Sequence, residues 1–123
     1  MTDPFTYIPP TEATAPRHAA ITAAERAARS EVDHVIEHDA GQAAHARISD
    51  ALRAFFDVIQ EHAPASADRS AAERCVRIAR MAANAAIAES DPDERGRCIR
   101  LARDNIRLAG WQARAAVALG IAS

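Results

Sequence analysis

The sequence is poor in aromatic residues and in glycine, and it contains no lysine. Its 123 residues include 3 Phe, 1 Tyr and 1 Trp, so that aromatics make up 4% of the chain, and only 4 residues are glycine. Without large rings the core must be built mainly from alanine and aliphatic side chains, and alanine buries little apolar area. Without glycine-rich turns the chain also lacks phosphate-binding loops and nucleophile elbows. We therefore expect a protein that binds and does not catalyse.

The charge is small overall but unevenly placed. The net charge of −2 is too weak to predict nucleic-acid or membrane binding. All 15 basic residues are arginine; residues 1–62 hold 5 of them against 10 acids, and residues 63–123 hold 10 against 7. Codon bias explains the lack of lysine more readily than function does, although the arginine fork also suits phosphate and carboxylate groups.

Long apolar runs and cysteine pairs are also missing. Cys75 and Cys98 are isolated thiols without metal-ligand or redox spacing, so we expect them to be small buried side chains. No segment approaches the ~20 consecutive apolar residues that span a bilayer. The N-terminus lacks the basic-then-apolar order of a secretory signal. These features predict a cytoplasmic location.

Apolar residues recur at steps of three and four through most of the chain, which is typical of amphipathic helices. A first helix is predicted to follow Pro16 and to end at the break at residues 39–41. A second covers about 43–62 and has the strongest apolar stripe, which includes Phe55 and Phe56. A third runs over about 69–88, and a fourth begins at an Asp-Pro start and ends near residue 119.

The predicted fold is therefore all-α: an antiparallel helical hairpin with additional helices and an extended N-terminal arm. The arm is expected to cover residues 1–16, the hairpin domain residues 17–90, and the C-terminal helix residues 91–123, packed on the same domain. Ser66 or Asp68 can cap the third helix.

The third helix carries a seam of small residues, to which a partner backbone can come close. Its members are Ala72, Cys75, Ala79, Ala82 and Ala86. Because an alanine-rich monomer of this size is marginally stable, we expect a homo-oligomer of two to six copies.

Three groups of polar residues could bind a ligand. His34 and His38 are one helical turn apart, which permits them to bind one metal ion together. No second pair of ligands accompanies them. We therefore predict that both are exposed polar residues and that the protein binds no metal and no cofactor. Asn84 either reads the edge of a base or ribose, or makes an interhelical hydrogen bond that fixes register. Glu73 is expected to neutralise Arg77 one turn away.

The fourth helix has a basic stripe, defined as four arginines within a sector of about 60° at 100° per residue. The stripe is either a solvated face paired with acids such as Asp104, or a surface that binds an anion or a partner. Its members are Arg100, Arg103, Arg107 and Arg114.

Two segments together resemble the helical-hairpin family of phage anti-defence sponges, which counter CBASS or Thoeris immunity. The first is Phe5-Thr6-Tyr7 followed by Pro9-Pro10, and the second runs from Pro64 through Ser66, Arg69 and Ala72 to Ala79-Arg80-Met81-Ala82-Ala83-Asn84-Ala85-Ala86-Ile87-Ala88. The match covers residues 5–10 and about 43–88; residues 17–40 look like an insertion or a lengthened first helix. This chain has Ala82 where family members commonly carry tryptophan, a difference that changes the packing or the pocket.

The resemblance implies a cytoplasmic homo-oligomer that binds cyclic dinucleotides, cyclic trinucleotides or a cyclic ADP-ribose isomer without cleaving them. In such a pocket Phe5 or Tyr7 would stack on a base, Arg69 and Arg80 would meet phosphate, and Asn84 would read the base or ribose. The alternative is a structural or protein-interaction bundle that holds a partner with its C-terminal helix.

Overall fold

The structure, a computed structural model, describes residues 9–122 of the chain, with side chains as far as residue 120, and it consists of four α-helices. These are α1 (Ala15–His38), α2 (Gly41–His62), α3 (Ala67–Ala88) and α4 (Pro92–Ala122). The all-α prediction is confirmed, since the described residues contain no strand. No helix within them combines the length and apolarity needed to cross a membrane.

The helices form an antiparallel bundle with short connections. Successive helices pack side by side, α1 also packs on α4, and the diagonal pairs α1/α3 and α2/α4 barely touch. Two ion pairs set the register of α1 against α4: Arg103 Nε bonds Asp33 Oδ1, and Arg114 Nη1 bonds Glu25 Oε1, each at 2.8 Å. As the residue number rises along α4, that of its partner on α1 falls.

Local signals place the helix ends close to their predicted positions. Gly41, with φ of 68°, begins α2 after the predicted break. Ser66 is the cap of α3, where its Oγ accepts a hydrogen bond from the backbone N–H of Arg69 at 3.1 Å. Asp91 precedes Pro92 at the start of α4 and accepts from the N–H of Asp93 at 3.3 Å.

The region predicted as an extended arm is partly folded. Residues 11–14 form a turn in which the Thr14 hydroxyl accepts from the backbone N–H of Thr11 at 2.7 Å, and α1 begins at Ala15. Proline fits the first turn of a helix because its missing N–H would have no intrahelical partner there, so Pro16 belongs to α1 and does not precede it. Residues 1–8 of the predicted arm lie outside the described part.

The core is divided between large side chains and alanine. The largest fully buried side chains include Ile21 on α1, Phe55 on α2 and Ile106 on α4. α3 and α4 form the most extensive helix pair, and the residues that these two helices bury are mostly small. These are Ala72, Ala79, Ala82, Ala83 and Ala86 on α3, and Ala102, Ala109, Ala113 and Ala116 on α4. Four of the five residues of the small-residue seam that predicted contact between copies are therefore buried within one chain, and Cys75 is half-buried.

Candidate ligand-binding groove

An open groove runs along the outside of the bundle between α2 and α3, and we call it the α2–α3 groove. Its volume is about 620 Å³. It is lined by Ser49, Asp50, Leu52, Arg53, Phe56, Asp57 and Gln60 from α2, and by Val76, Arg77, Arg80 and Met81 from α3. Both walls are helices of the bundle, so the packing of α2 on α3 sets the distance between the backbones that carry these side chains.

Three arginines converge on the α2–α3 groove. Arg53, Arg77 and Arg80 are all exposed, and none of them forms an ion pair within residues 9–120. The Arg77 guanidinium lies over the Phe56 ring, 5.7 Å from its centroid, at a distance where a cation is attracted to the ring face. Together they offer forked donors and an aromatic surface to one ligand.

The rest of the groove is acidic at one wall and apolar at its rim. Asp50 and Asp57 on α2 line the groove but make no ion pair in the described part of the chain. Met81 on α3, which lines the groove, is 71% exposed. The groove can thus bind an anion and at the same time accept hydrogen bonds from a polar ring.

The structure separates the predicted site residues from one another. Arg80 lines the α2–α3 groove. Arg69 lies near the start of the same helix, where its Nη1 donates to the carbonyl of Ala63 at 3.4 Å and its Nε is 3.4 Å from Glu73 Oε1. Because the two positions are 11 residues apart, or about 16 Å along the helix, Arg69 supports the α2–α3 loop while Arg80 faces the groove.

The predicted pairing of Glu73 with Arg77 is wrong. Glu73 turns toward the start of α3, where it meets Arg69, and it also accepts from Gln60 Nε2 at 3.4 Å. Arg77 is therefore left for Phe56. The Arg77 and Phe56 pair was missed because the sequence placed Phe56 in the core stripe.

Asn84 makes the interhelical hydrogen bond that was one of its two predicted roles. The Nδ1–H of His45 on α2 donates to Oδ1 of Asn84 on α3 at 2.8 Å, and both side chains are half-buried. The amide oxygen is therefore already bonded within the bundle. Phe5 and Tyr7, the predicted stacking residues, lie outside the described residues.

We expect Asn84→Ala and His45→Ala each to lower the free energy of unfolding by about 0.5–1.5 kcal/mol, since each removes one partner of a half-buried hydrogen bond. Urea denaturation of the two single variants and the double variant measures this. The double variant should lose less than the sum of the singles. Strictly additive losses would contradict an energetic coupling between these side chains.

Among the described residues, the histidine pair gains no further ligand. The rings of His34 and His38 are 4.7 Å apart and tilted, on the exposed side of α1. Within the described residues no three His, Cys, Asp or Glu side chains come together as a metal site would require. His38 lies 3.6 Å from the Glu37 carboxylate, which also faces solvent.

The basic stripe of α4 is divided between two roles. Arg103 and Arg114 bond acids of α1, at Asp33 and Glu25, and not Asp104. Arg100 and Arg107 are exposed and make no ion pair within residues 9–120. Half of the stripe therefore fixes the bundle, and the other half remains open to a partner.

In comparisons with known proteins, no family model, no curated protein and no solved structure matches this chain.

Proposed function

We propose that this protein binds and sequesters a cyclic nucleotide signal in the α2–α3 groove and does not cleave it. Candidate ligands are cyclic dinucleotides, cyclic trinucleotides and cyclic ADP-ribose isomers. The observation that carries the proposal is the convergence of Arg53, Arg77 and Arg80 on one groove, with no ion pair to neutralise them in the described part of the chain. In this reading the protein acts in the cytoplasm of a bacterial host as a phage-type anti-defence sponge.

The chemistry of the groove suits such a ligand. Guanidinium groups bind phosphate by two parallel hydrogen bonds, which are about twice as strong as neutral ones. When Arg77 turns from the Phe56 ring to a phosphate, the ring offers a face on which a base can stack, and Asp50 and Asp57 can accept from the N–H groups of a base. A sponge needs affinity alone, so no nucleophile or general base is required at this position.

A ligand screen tests the proposal directly. The full-length protein is heated with each candidate nucleotide, with inorganic phosphate and with a linear dinucleotide, and the Tm is recorded. A ligand that binds the folded state at 100 times its Kd adds about 2.7 kcal/mol to the free energy of unfolding. We expect at least one cyclic nucleotide to raise the Tm above the phosphate control. No rise with any member of the panel would overturn the proposal.

Charge reversal in the groove is the sharper test. We expect the double variant Arg77→Glu, Arg80→Glu to weaken binding of the active nucleotide by about 100-fold or more, because two charge-assisted hydrogen bonds are lost. Titration calorimetry gives the Kd. The matched control is Arg26→Glu, Arg29→Glu, which makes the same charge change at two exposed positions on α1. Equal weakening in both variants would indicate a general charge effect and no site.

The fate of the ligand separates sequestration from catalysis. After incubation the protein is denatured by heat and the released nucleotide is analysed by chromatography. We expect intact ligand in stoichiometric amount. A hydrolysed product that accumulates with time would show that the protein is an enzyme.

A second candidate, a protein-interaction bundle, is favoured by the outer surface of α4. Leu101 is 50% exposed next to the open cation Arg100, and Leu119 is 51% exposed nearer the end of the same helix. If the protein is such a bundle, nucleotides should not raise its Tm, and the charge reversal on α3 should leave partner binding unchanged. The same screen therefore distinguishes the two functions.

A further inference from the structure

The α2 wall of the α2–α3 groove carries two carboxylates on one face of its helix. Asp50 and Asp57 both line the groove, and both are exposed. They are seven residues apart, which in an α-helix is about 10.5 Å along the axis and places them within about 20° of each other around it. Arg53 lines the groove between them. This wall therefore presents acid, base and acid in turn.

These acids oppose phosphate binding unless the ligand also brings hydrogen-bond donors to them. Like charges repel at short range, and neither carboxylate forms an ion pair within residues 9–120. Arg77 and Arg80, two of the cations that suit phosphate, belong to α3, across the groove. The ligand that suits the whole groove therefore places phosphate toward α3 and the donors of a base toward α2.

Guanine is the base whose edge fits a carboxylate. A carboxylate accepts hydrogen bonds and does not donate them. Guanine presents two neighbouring donors, N1–H and the N2 amino group, which can bond the two oxygens of one carboxylate in parallel. Adenine and cytosine present an amino group beside a ring nitrogen that accepts, and uracil presents one N–H between two carbonyls. Each of these three bases therefore puts an acceptor against one of the carboxylate oxygens.

We propose that the α2–α3 groove selects guanine, and that Asp50 and Asp57 determine this specificity. A carboxylate of α2 accepts hydrogen bonds from N1–H and the N2 amino group of guanine, while the arginines of the groove bind the phosphates. Ligands with adenine alone are disfavoured by the same two acids. The inference rests on the proposed function, and it narrows the ligand from a cyclic nucleotide with any base to one that contains guanine.

A base exchange within one ligand class tests the inference. Three cyclic dinucleotides with the same ring and linkages carry two guanines, one guanine and one adenine, or two adenines, and titration calorimetry with the full-length protein gives each Kd. We expect the ligand with two adenines to bind about 10-fold more weakly than the tightest guanine ligand, or worse, because hydrogen bonds to a charged group are lost. If a cyclic trinucleotide or a cyclic ADP-ribose isomer binds instead, guanine is exchanged with adenine within that class.

The outcomes of this exchange separate the inference from the proposed function. Adenine ligands that bind as tightly as their guanine counterparts, or more tightly, would overturn the selection of guanine and leave the sequestration of cyclic nucleotides in place. No binding by any ligand with either base would overturn both.

The double variant Asp50→Asn, Asp57→Asn tests the two acids themselves. Each new amide offers one acceptor and one donor, an arrangement that pairs with adenine. We expect this variant to bind the guanine ligand about 10-fold more weakly than the parent protein does. The adenine ligand should bind at least as tightly as before, because two charges that repel its phosphates are gone. A general effect of charge would instead strengthen the binding of both ligands alike.

The matched control is the double variant Glu37→Gln, Glu61→Gln. It makes the same change in charge at two exposed acids, neither of which lines the groove. We expect the ratio of the guanine and adenine Kd values to stay at the parent value in this control. Urea denaturation shows that both double variants are folded. If the Asp50 and Asp57 variant also keeps the parent ratio, the two acids do not select the base and the inference is overturned.

Discussion

Phe55→Ala is expected to lower the free energy of unfolding by about 3–5 kcal/mol, the cost of removing a buried phenyl ring and leaving a cavity. Phe55 is 1% exposed and is the largest fully buried side chain of the bundle. Alanine fills much of the remaining core, and short side chains cannot move into the space that the ring leaves. Urea denaturation followed by circular dichroism measures the loss.

The adjacent residue provides the control. Phe56 is half-buried in the wall of the α2–α3 groove, so we expect Phe56→Ala to cost about 1 kcal/mol, in proportion to the smaller area withdrawn from water. The same substitution should weaken binding of the active nucleotide. Equal destabilisation by the two substitutions would contradict the assignment of Phe55 to the core and Phe56 to the groove.

Arg95→Ala is expected to lower the free energy of unfolding by about 2–3 kcal/mol, because one guanidinium donates hydrogen bonds to carbonyls at the ends of two helices. Its Nη2 donates to the carbonyl of Ile36 in the last turn of α1 at 2.6 Å, and its Nε donates to the carbonyl of Ala86 in the last turn of α3 at 3.2 Å. These carbonyls have no intrahelical partner, and a cation is also favoured at a helix C-terminus. Thermal and urea unfolding both measure the loss.

Arg97→Ala is the matched control for Arg95. Arg97 is exposed, and its ion pair with Glu94 lies within the first turns of α4, so we expect a change of about 0.5 kcal/mol or less. Arg95→Lys should recover only part of the loss, since a single ammonium cannot reach both carbonyls as a fork does. If the Arg95→Ala and Arg97→Ala variants lose the same free energy of unfolding, the hydrogen bonds from Arg95 to the ends of α1 and α3 do not contribute to stability.

Burial of most of the small-residue seam within one chain removes the surface on which self-association was predicted. The sequence predicted that alanine-lined helices from separate copies pack together, whereas the structure buries four of the five seam residues within one chain. Any association between copies must therefore use the outer surface. Among the described side chains the large apolar groups exposed there are Ile78, Met81, Leu101 and Leu119. A homo-oligomer remains a prediction that sedimentation can test.

The sequence by itself determined the four helices and placed most of their ends within a few residues, because the signals are local; it placed the start of α1 after Pro16, which the structure includes in that helix. The break before Gly41, the cap at Ser66 and the start at Pro92 each act through hydrogen bonds or backbone angles within a few residues. The periodicity of apolar residues likewise predicted amphipathic helices, and Phe55 of the stripe predicted on α2 is buried.

Only the tertiary structure decided what the polar side chains do. Asn84 is 39 residues from His45, Arg103 is 70 residues from Asp33, and Arg114 is 89 residues from Glu25. Whether such groups meet depends on which helices are neighbours and on their relative rotation and register, and these follow from packing the whole core at once. The same packing buried Phe55 and turned its neighbour Phe56 toward Arg77, so the aromatic wall of the groove was hidden in a stripe that the sequence assigned to the core.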